Sequence, residues 1–303
     1  MKKYYVVLMI LLIFTVVVNA SGLEVYYLSV RDGNAVFIRT PSGLNILIDG
    51  GPGGSGSGYD AGADTIVPFL RSLGVTRIDN IIISNPKESN IGGLRAVFDA
   101  FDIGEIFAPE TDYTPALYED LLIYIMEKQD ELAMAGGSVV ADALSRKYHF
   151  EYTTPSVGYN FSWGSGISAQ VIGPKKMYRN TRSDIHNNSL VIKMTYKTTS
   201  FLFTGDIERE AMRDLTRLSS KLQCDVLKVP QQGNVNSSDM TFLQTVNPKY
   251  AIISAGGGKV PSSAILKNLS ALKVNTYRTD QGVSKYIRVK VGADGSAPSI
   301  TKK

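Results

Sequence analysis

The chain has 303 residues, 44% hydrophobic, 20% charged and 9% aromatic, a balance that supports a sizeable core and excludes disordered, collagen-like and coiled-coil chains. Its formal charge of +4 falls to about +2 if Lys2 and Lys3 are removed with the segment described next, so the sequence carries no strong nucleic-acid signature. A single cysteine, Cys224, excludes an internal disulfide framework, and two histidines, His149 and His186, are too few for a multi-histidine transition-metal centre.

At the N-terminus, Lys2 and Lys3 precede an apolar run from Tyr4 to Val18, which ends in Val18-Asn19-Ala20 with Ser21 and Gly22 behind it. A basic start, a short apolar stretch and small residues at the cleavage position read as a secretory signal peptide. The run is shorter than the roughly 20 residues a membrane-spanning helix needs. Weak membrane anchoring would follow only if the segment stayed uncleaved. The expectation is a signal peptide over 1–20, a secreted or extracytoplasmic mature chain beginning at Ser21, one domain over 21–292 and a flexible tail over 293–303.

The body opens with β-rich runs at Leu23 to Val30, Ala35 to Thr40 and Leu44 to Asp49, separated by Arg31-Asp32-Gly33-Asn34 and Pro41-Ser42-Gly43, which is hairpin punctuation. Helical spacing follows at Ala63 to Leu73, a strand at Ile78 to Ile83, a helix at Gly92 to Phe101 and a strand at Gly104 to Ala108. Leu117 to Ala135 is the longest helical pattern. Strands return at Lys147 to Thr153, Tyr159 to Trp163, Ile167 to Ile172, Ser189 to Tyr196 and Ser200 to Thr204. The chain then alternates: helix Ile207 to Leu218, strand Asp225 to Val229, helix Ser238 to Val246, strand Tyr250 to Ser254, helix Ser262 to Leu272, and strands near Val274 to Arg278 and Tyr286 to Val291. Two halves of this style predict an α/β class, with two facing sheets and helices outside, an αββα sandwich.

Four strand ends run into polar or glycine-bearing loops, where α/β proteins usually place their sites: Asp49-Gly50-Gly51, Ser84 to Gly93, Thr204-Gly205-Asp206 and Val229 to Asn234. Together with Val67-Pro68-Phe69-Leu70-Arg71-Ser72-Leu73-Gly74, Asn188-Ser189-Leu190-Val191 and Leu227-Lys228-Val229-Pro230, their wording and order resemble the metallo-β-lactamase superfamily. The likeness is to the branch of the ComEC C-terminal domain and its free-standing secreted relatives, and it covers nearly the whole mature chain. It implies a metallo-β-lactamase-fold sandwich.

The same alignment implies that the metal site is degenerate. The family motif T-H-P-H-A-D-H falls on Ser84 to Asn90, so that Asn85, Lys87 and Asn90 stand where the family has histidines and Ser89 where it has aspartate. The later H-H-G becomes Gln231-Gln232-Gly233. Asp206, matching the carboxylate that bridges two metals, and Asp49, matching a supporting carboxylate, remain. Zinc takes imidazole and carboxylate at about 2.0 to 2.2 Å, carboxamides are weak substitutes, and an ammonium offers no lone pair. The expectation is a protein without metal, cofactor or catalytic residues that acts as a binding or interaction module for an unknown partner. The alternative is a hydrolase in which Asp49, Glu88 and Asp206 hold Mg²⁺, Mn²⁺ or Ca²⁺ and, by the ComEC likeness, act on phosphodiesters. With the metals gone, Lys87 is expected to pair with Asp206 and balance its charge.

Other signals read as ordinary structure. The run Gly50 to Gly58 lacks the Lys-Ser or Lys-Thr of a phosphate-binding loop, Ser84 and Ser89 have no neighbouring histidine base in the motif, and the 16 tyrosines are scattered. His149 and His186 read as polar loop residues, and Lys175, Lys176, Arg179 and Arg182 as a solvated basic loop.

Overall fold

The computed structural model describes residues 22–54, 58–134, 151–256, 258, 260–282 and 285–303, with side chains described through residue 128 in the long helix. The expected signal peptide over 1–20, His149 and residues 55–57 of the glycine-rich run lie outside the described residues.

The chain starts with an antiparallel meander of β1 (Leu23–Leu28), β2 (Val36–Arg39) and β3 (Asn45–Ile48). A π-helical turn over Gly62–Ile66 leads into α1 (Val67–Ser72), after which β4 (Arg77–Ile82) pairs parallel with β3. The short helices α2 (Glu88–Ile91) and α3 (Leu94–Ala100), strand β5 (Asp102–Phe107), the long α4 (Ala116–Met134) and β6 (Glu151–Thr153) complete this half. The second half holds β7 (Asn160–Phe161), β8 (Ile167–Gly173), α5 (Asp184–Asn187), β9 (Val191–Tyr196) and β10 (Thr199–Phe203). It continues with α6 (Arg209–Thr216), β11 (Val226–Lys228), α7 (Met240–Val246), β12 (Tyr250–Ile253), α8 (Ser263–Ala271) and β13 (Asn275–Arg278). Strands β14 (Tyr286–Val291) and β15 (Ser299–Lys302) return to the first sheet.

The first sheet runs β15-β14-β1-β2-β3-β4-β5-β6 and the second β13-β12-β11-β10-β9-β8-β7. Because each sheet is covered on both faces, its strands are nearly continuously apolar, and alternate residues serve different layers. In β1, Val25 and Tyr27 face the opposite sheet, whereas Tyr26 and Leu28 face α1, α3 and α4. Leu227, Leu202 and Ile253 pack instead under α6, α7 and α8. The result is the expected αββα sandwich. Truncating a large side chain in such a layer, Phe201 for example, typically costs about 3–5 kcal/mol, so the framework is independent of whatever occupies the strand-end loops.

The tail departs from expectation. Residues 293–303 are not wholly irregular, because Ser299–Lys302 pairs antiparallel with β14 from Lys290 to Ile287 and satisfies its outer hydrogen-bonding edge. The apolar pair that a strand this short would need to announce itself is reduced to Ile300, which packs against the inter-sheet core.

Candidate functional site

Parallel pairing of β3 with β4 and of β10 with β11 brings the loops after these strands to one end of the sandwich. Asp49 leaves β3 with φ 62°, Gly205 leaves β10 with φ 54°, and Gln231 and Gln232 follow β11 with φ 46° and 52°. Left-handed backbone at a non-glycine residue costs of order 1–3 kcal/mol and persists where the surroundings fix it. Gly205 is required twice over, by its φ and because a Cβ there would lie 2.7 Å from Cβ of Ser189.

These turns aim two buried carboxylates inward. Asp49 accepts the backbone N–H of Ser84 at 2.7 Å on Oδ1 and its hydroxyl at 2.8 Å on Oδ2. Burial raises its pKa to about 7, against the lowering effect of the two Ser84 bonds and the Lys228 charge. Asp206 sits in a ring of carboxamides. Its Oδ1 accepts from Nδ2 of Asn34 at 2.9 Å and Nε2 of Gln232 at 3.4 Å, and its Oδ2 from Nδ2 of Asn90 at 2.9 Å and of Asn85 at 3.2 Å. Burial alone would raise this pKa, but the attraction of the Lys228 ammonium, joined by the Asn90 and Asn85 donors, holds the carboxyl below its ordinary range. Lys228, at the end of β11, is itself buried, and its Nζ has no hydrogen-bond partner among the described residues. Burial depresses its pKa, opposed by the negative charges of Asp206 and Asp49.

A second network lies beside the first. Nζ of Lys87 is 3.0 Å from Nε2 of His186, whose Nδ1 is 3.0 Å from Oε1 of buried Glu208. Nε2 of Gln231 donates to the same Glu208 oxygen at 2.9 Å. A lysine ammonium can only donate, so Nε2 accepts and the Nδ1 proton points to Glu208, the neutral tautomer. The expected pairing of Lys87 with Asp206 is therefore corrected. Lys87 precedes α2 in extended conformation, is exposed, and turns to His186, while the buried cation facing Asp206 is Lys228.

Of the positions the resemblance singled out, the fold brings Asn85, Asn90, Asp206 and Gln232 into one network, with Asp49 joined through Ser84. Gln231 belongs to the His186–Glu208 network, and Ser89 contributes its backbone carbonyl to the N–H of Asn34 at 3.1 Å. Sequence reasoning missed Asn34, which read as turn punctuation, and Glu208. It also left His186 as a loop residue and Lys228 as a strand residue. Glu208 did carry a signal, a carboxylate two residues after Asp206 and just ahead of a helix.

The residues present do not fit the metal pair that the fold family implies. Two of the amide oxygens that would have to replace imidazole are already committed: Oδ1 of Asn85 accepts the N–H of Lys87 at 3.1 Å, and Oδ1 of Asn90 accepts from Asn34 at 2.9 Å; Oε1 of Gln231, without a hydrogen-bond partner among the described residues, sits in the His186–Glu208 network instead. The N–H groups of Asn85 and Asn90, which cannot ligate a cation, face Asp206. Among the described residues no three of His, Cys, Asp and Glu come together as a metal-binding group.

ComE operon protein 3 of Bacillus subtilis (strain 168) is 23% identical over 280 residues, covering 88% of this chain and 33% of its own length. Competence protein ComA of Neisseria gonorrhoeae is 26% identical over 255 residues, covering 82% of this chain and 30% of its own. The solved structure of CmlA, a diiron β-hydroxylase from Streptomyces venezuelae, superposes with a TM-score of 0.53 at 14% identity, over 88% of this chain and 54% of that one. This chain has the metallo-β-lactamase fold. It spans about a third of the length of these curated relatives. No family model matches it. Among the described residues, no helix of this metallo-β-lactamase-fold protein is long and apolar enough to cross a membrane.

Proposed function

We propose that the protein is a secreted, metal-free member of the metallo-β-lactamase fold that works as a binding or interaction module and not as a hydrolase. The observation that carries the reading is the saturation of Asp206. Both its oxygens receive carboxamide N–H groups from positions where the resemblance implies histidine ligands, and a buried lysine supplies positive charge to the same carboxylate. A hydroxide generated on a metal needs at least three protein ligands with free lone pairs, and Asn85, Asn90 and Gln232 turn donors toward Asp206 instead. The hard-ion alternative lacks convergence: Glu88 is exposed, and both oxygens of Asp49 are bonded to Ser84. Strained turns that position ligands in a hydrolase here position a buried ring of amides around Asp206.

Elemental analysis of the full chain, purified without chelators, tests the reading. We expect well under one zinc, manganese or iron per chain and no cleavage of phosphodiester or β-lactam substrates. Stoichiometric metal, together with an activity abolished by Asp206→Ala, would overturn it.

A further inference from the structure

The loop from Pro174 to Arg182 reads in sequence as a solvated basic segment, but the fold sets it against α6. Lys176 and Arg179 from the loop, and Arg213 and Arg217 from the helix and its C-terminal end, line one open cavity of about 400 Å³. An adjoining cavity of about 360 Å³ shares Lys176 and adds Lys175. Two carboxylates also line the first cavity, and both are engaged. Oδ2 of Asp214 accepts the hydroxyl of buried Tyr178 at 2.8 Å and lies 3.6 Å from Nζ of Lys176, while Oδ1 receives Arg217 at 2.8 Å. Oε2 of Glu210 accepts Nδ2 of Asn187 at 2.8 Å. Arg179 is ion-paired with Asp112, Arg213 has no ion pair among the described residues, and four cations against the three carboxylates Asp112, Glu210 and Asp214 leave a surplus of one positive charge. Along α6, Arg209, Arg213 and Arg217 recur every fourth residue, a spacing at which like charges repel and disfavour the helix.

We propose that this cleft, outside the amide-lined centre, is a binding site for a phosphoryl group. Arg213 presents a planar fork of donors with no carboxylate partner among the described residues, and Arg179 and Arg217 keep N–H groups beyond those bound to Asp112 and Asp214; phosphate oxygens accept such donors in pairs. A carboxylate ligand offers only two oxygens, whereas a phosphomonoester offers three terminal oxygens, enough to meet all three guanidiniums. Asp214 holds Lys176 and Arg217 in place, so their geometry is set before a ligand arrives. The cavity exceeds a free phosphate ion and lies in the range of small-ligand sites, leaving room for the group that carries the phosphate. Tyr178 is buried beneath Lys176, whose Nζ lies 5.3 Å from the ring centroid, so the cleft reads the phosphate and offers no exposed ring for base stacking.

Calorimetric titration of the full chain with inorganic phosphate, glycerol phosphate and short thymidylate oligomers tests the site. We expect saturable binding, weakened about tenfold or more by Arg213→Gln or Arg179→Gln, only partly kept by Arg213→Lys, which retains the charge and loses the fork, and unchanged by exposed Lys267→Gln. Both arginines are exposed, and circular dichroism confirms that the variants fold. Equal affinity for glycerol phosphate and the oligomers supports a small phosphomonoester, whereas affinity that climbs with oligomer length supports a phosphodiester chain reaching Lys175; either supports the site. Absence of saturable binding, or binding indifferent to both arginine substitutions, overturns it.

Discussion

Nδ2 of Asn90 donates to Oδ2 of Asp206 at 2.9 Å, and Oδ1 of the same side chain accepts from Nδ2 of Asn34, also at 2.9 Å. One carboxamide thus hands the carboxylate a proton donor and closes the ring on its other side. A buried carboxylate without partners is costly, and here its partners are neutral dipoles backed by a single ammonium.

Asn90→Ala is expected to destabilise the protein by about 1–3 kcal/mol, because it strips one donor from Asp206 and removes one of the two acceptors that Asn34 Nδ2 bonds. Denaturant unfolding of Asn90→Ala, Asp206→Asn and the double variant measures the coupling. Strict additivity would refute the shared network.

Lys228→Met removes a buried positive charge that acts on both Asp206 and Asp49 and should cost about 3–5 kcal/mol. Adding Asp206→Asn should recover part of that loss, since it removes one of the carboxylates left unbalanced. A Lys228→Met protein as stable as wild type would show that this ammonium does not balance Asp206 and Asp49.

The two carboxylates pull stability in opposite directions with pH. Asp49 titrates at about 7 in the folded protein and near 3.9 when unfolded. The folded state therefore holds the extra proton across that window, and stability falls as pH rises from about 4 to about 7. Asp206 has a lowered folded pKa, so its contribution is full above the unfolded value and fades as pH falls through the folded one. Urea midpoints measured across pH should lose the downward slope between 4 and 7 in Asp49→Asn. An unchanged slope would assign it to another group.

A grafted ligand set should restore metal binding. Asn85, Lys87, Asn90 and Gln231 changed to His and Ser89 to Asp surround Asp206 with imidazoles and remove the ammonium at 87. Zinc stoichiometry should rise to at least one per chain, with or without turnover, because hydrolysis also depends on groups behind the ligands. A graft that stays metal-free would mean that the loops have changed shape as well as side chains.

Secretion is tested at the protein's start. Sequencing of the mature N-terminus should find Ser21, the residue after the small-residue pattern at Val18 and Ala20. Intact Met1 on exported protein would contradict it.

The sandwich was legible because burial on both faces of each sheet leaves unbroken apolar runs, and glycine or asparagine marks the turns between them. The helices α2 and α5 were not, since four residues carry no period, and β15 hides behind a polar spacer. At the site, motif order gave the positions of Asn85, Asn90, Asp206 and Gln232 but not their partners. Lys87 is the instructive failure. Charge balance after loss of the metals, with the strand-end loops converging, suggested Asp206, yet the exposed position before α2 directs the side chain to His186, and the balancing cation comes from the end of β11, 22 residues beyond Asp206. The contact between Asn34 and Asp206 spans 172 positions, a separation that no local pattern encodes.

The pairing of β15 with β14 has a practical side. Shortening the chain to end before Ser299 would uncover the outer backbone groups of Tyr286–Val291, a strand with alternating apolar residues and no proline. An open edge of that kind recruits a strand from a neighbouring molecule. Trimmed versions made for crystallisation or display should therefore self-associate, and affinity tags belong away from this C-terminal strand.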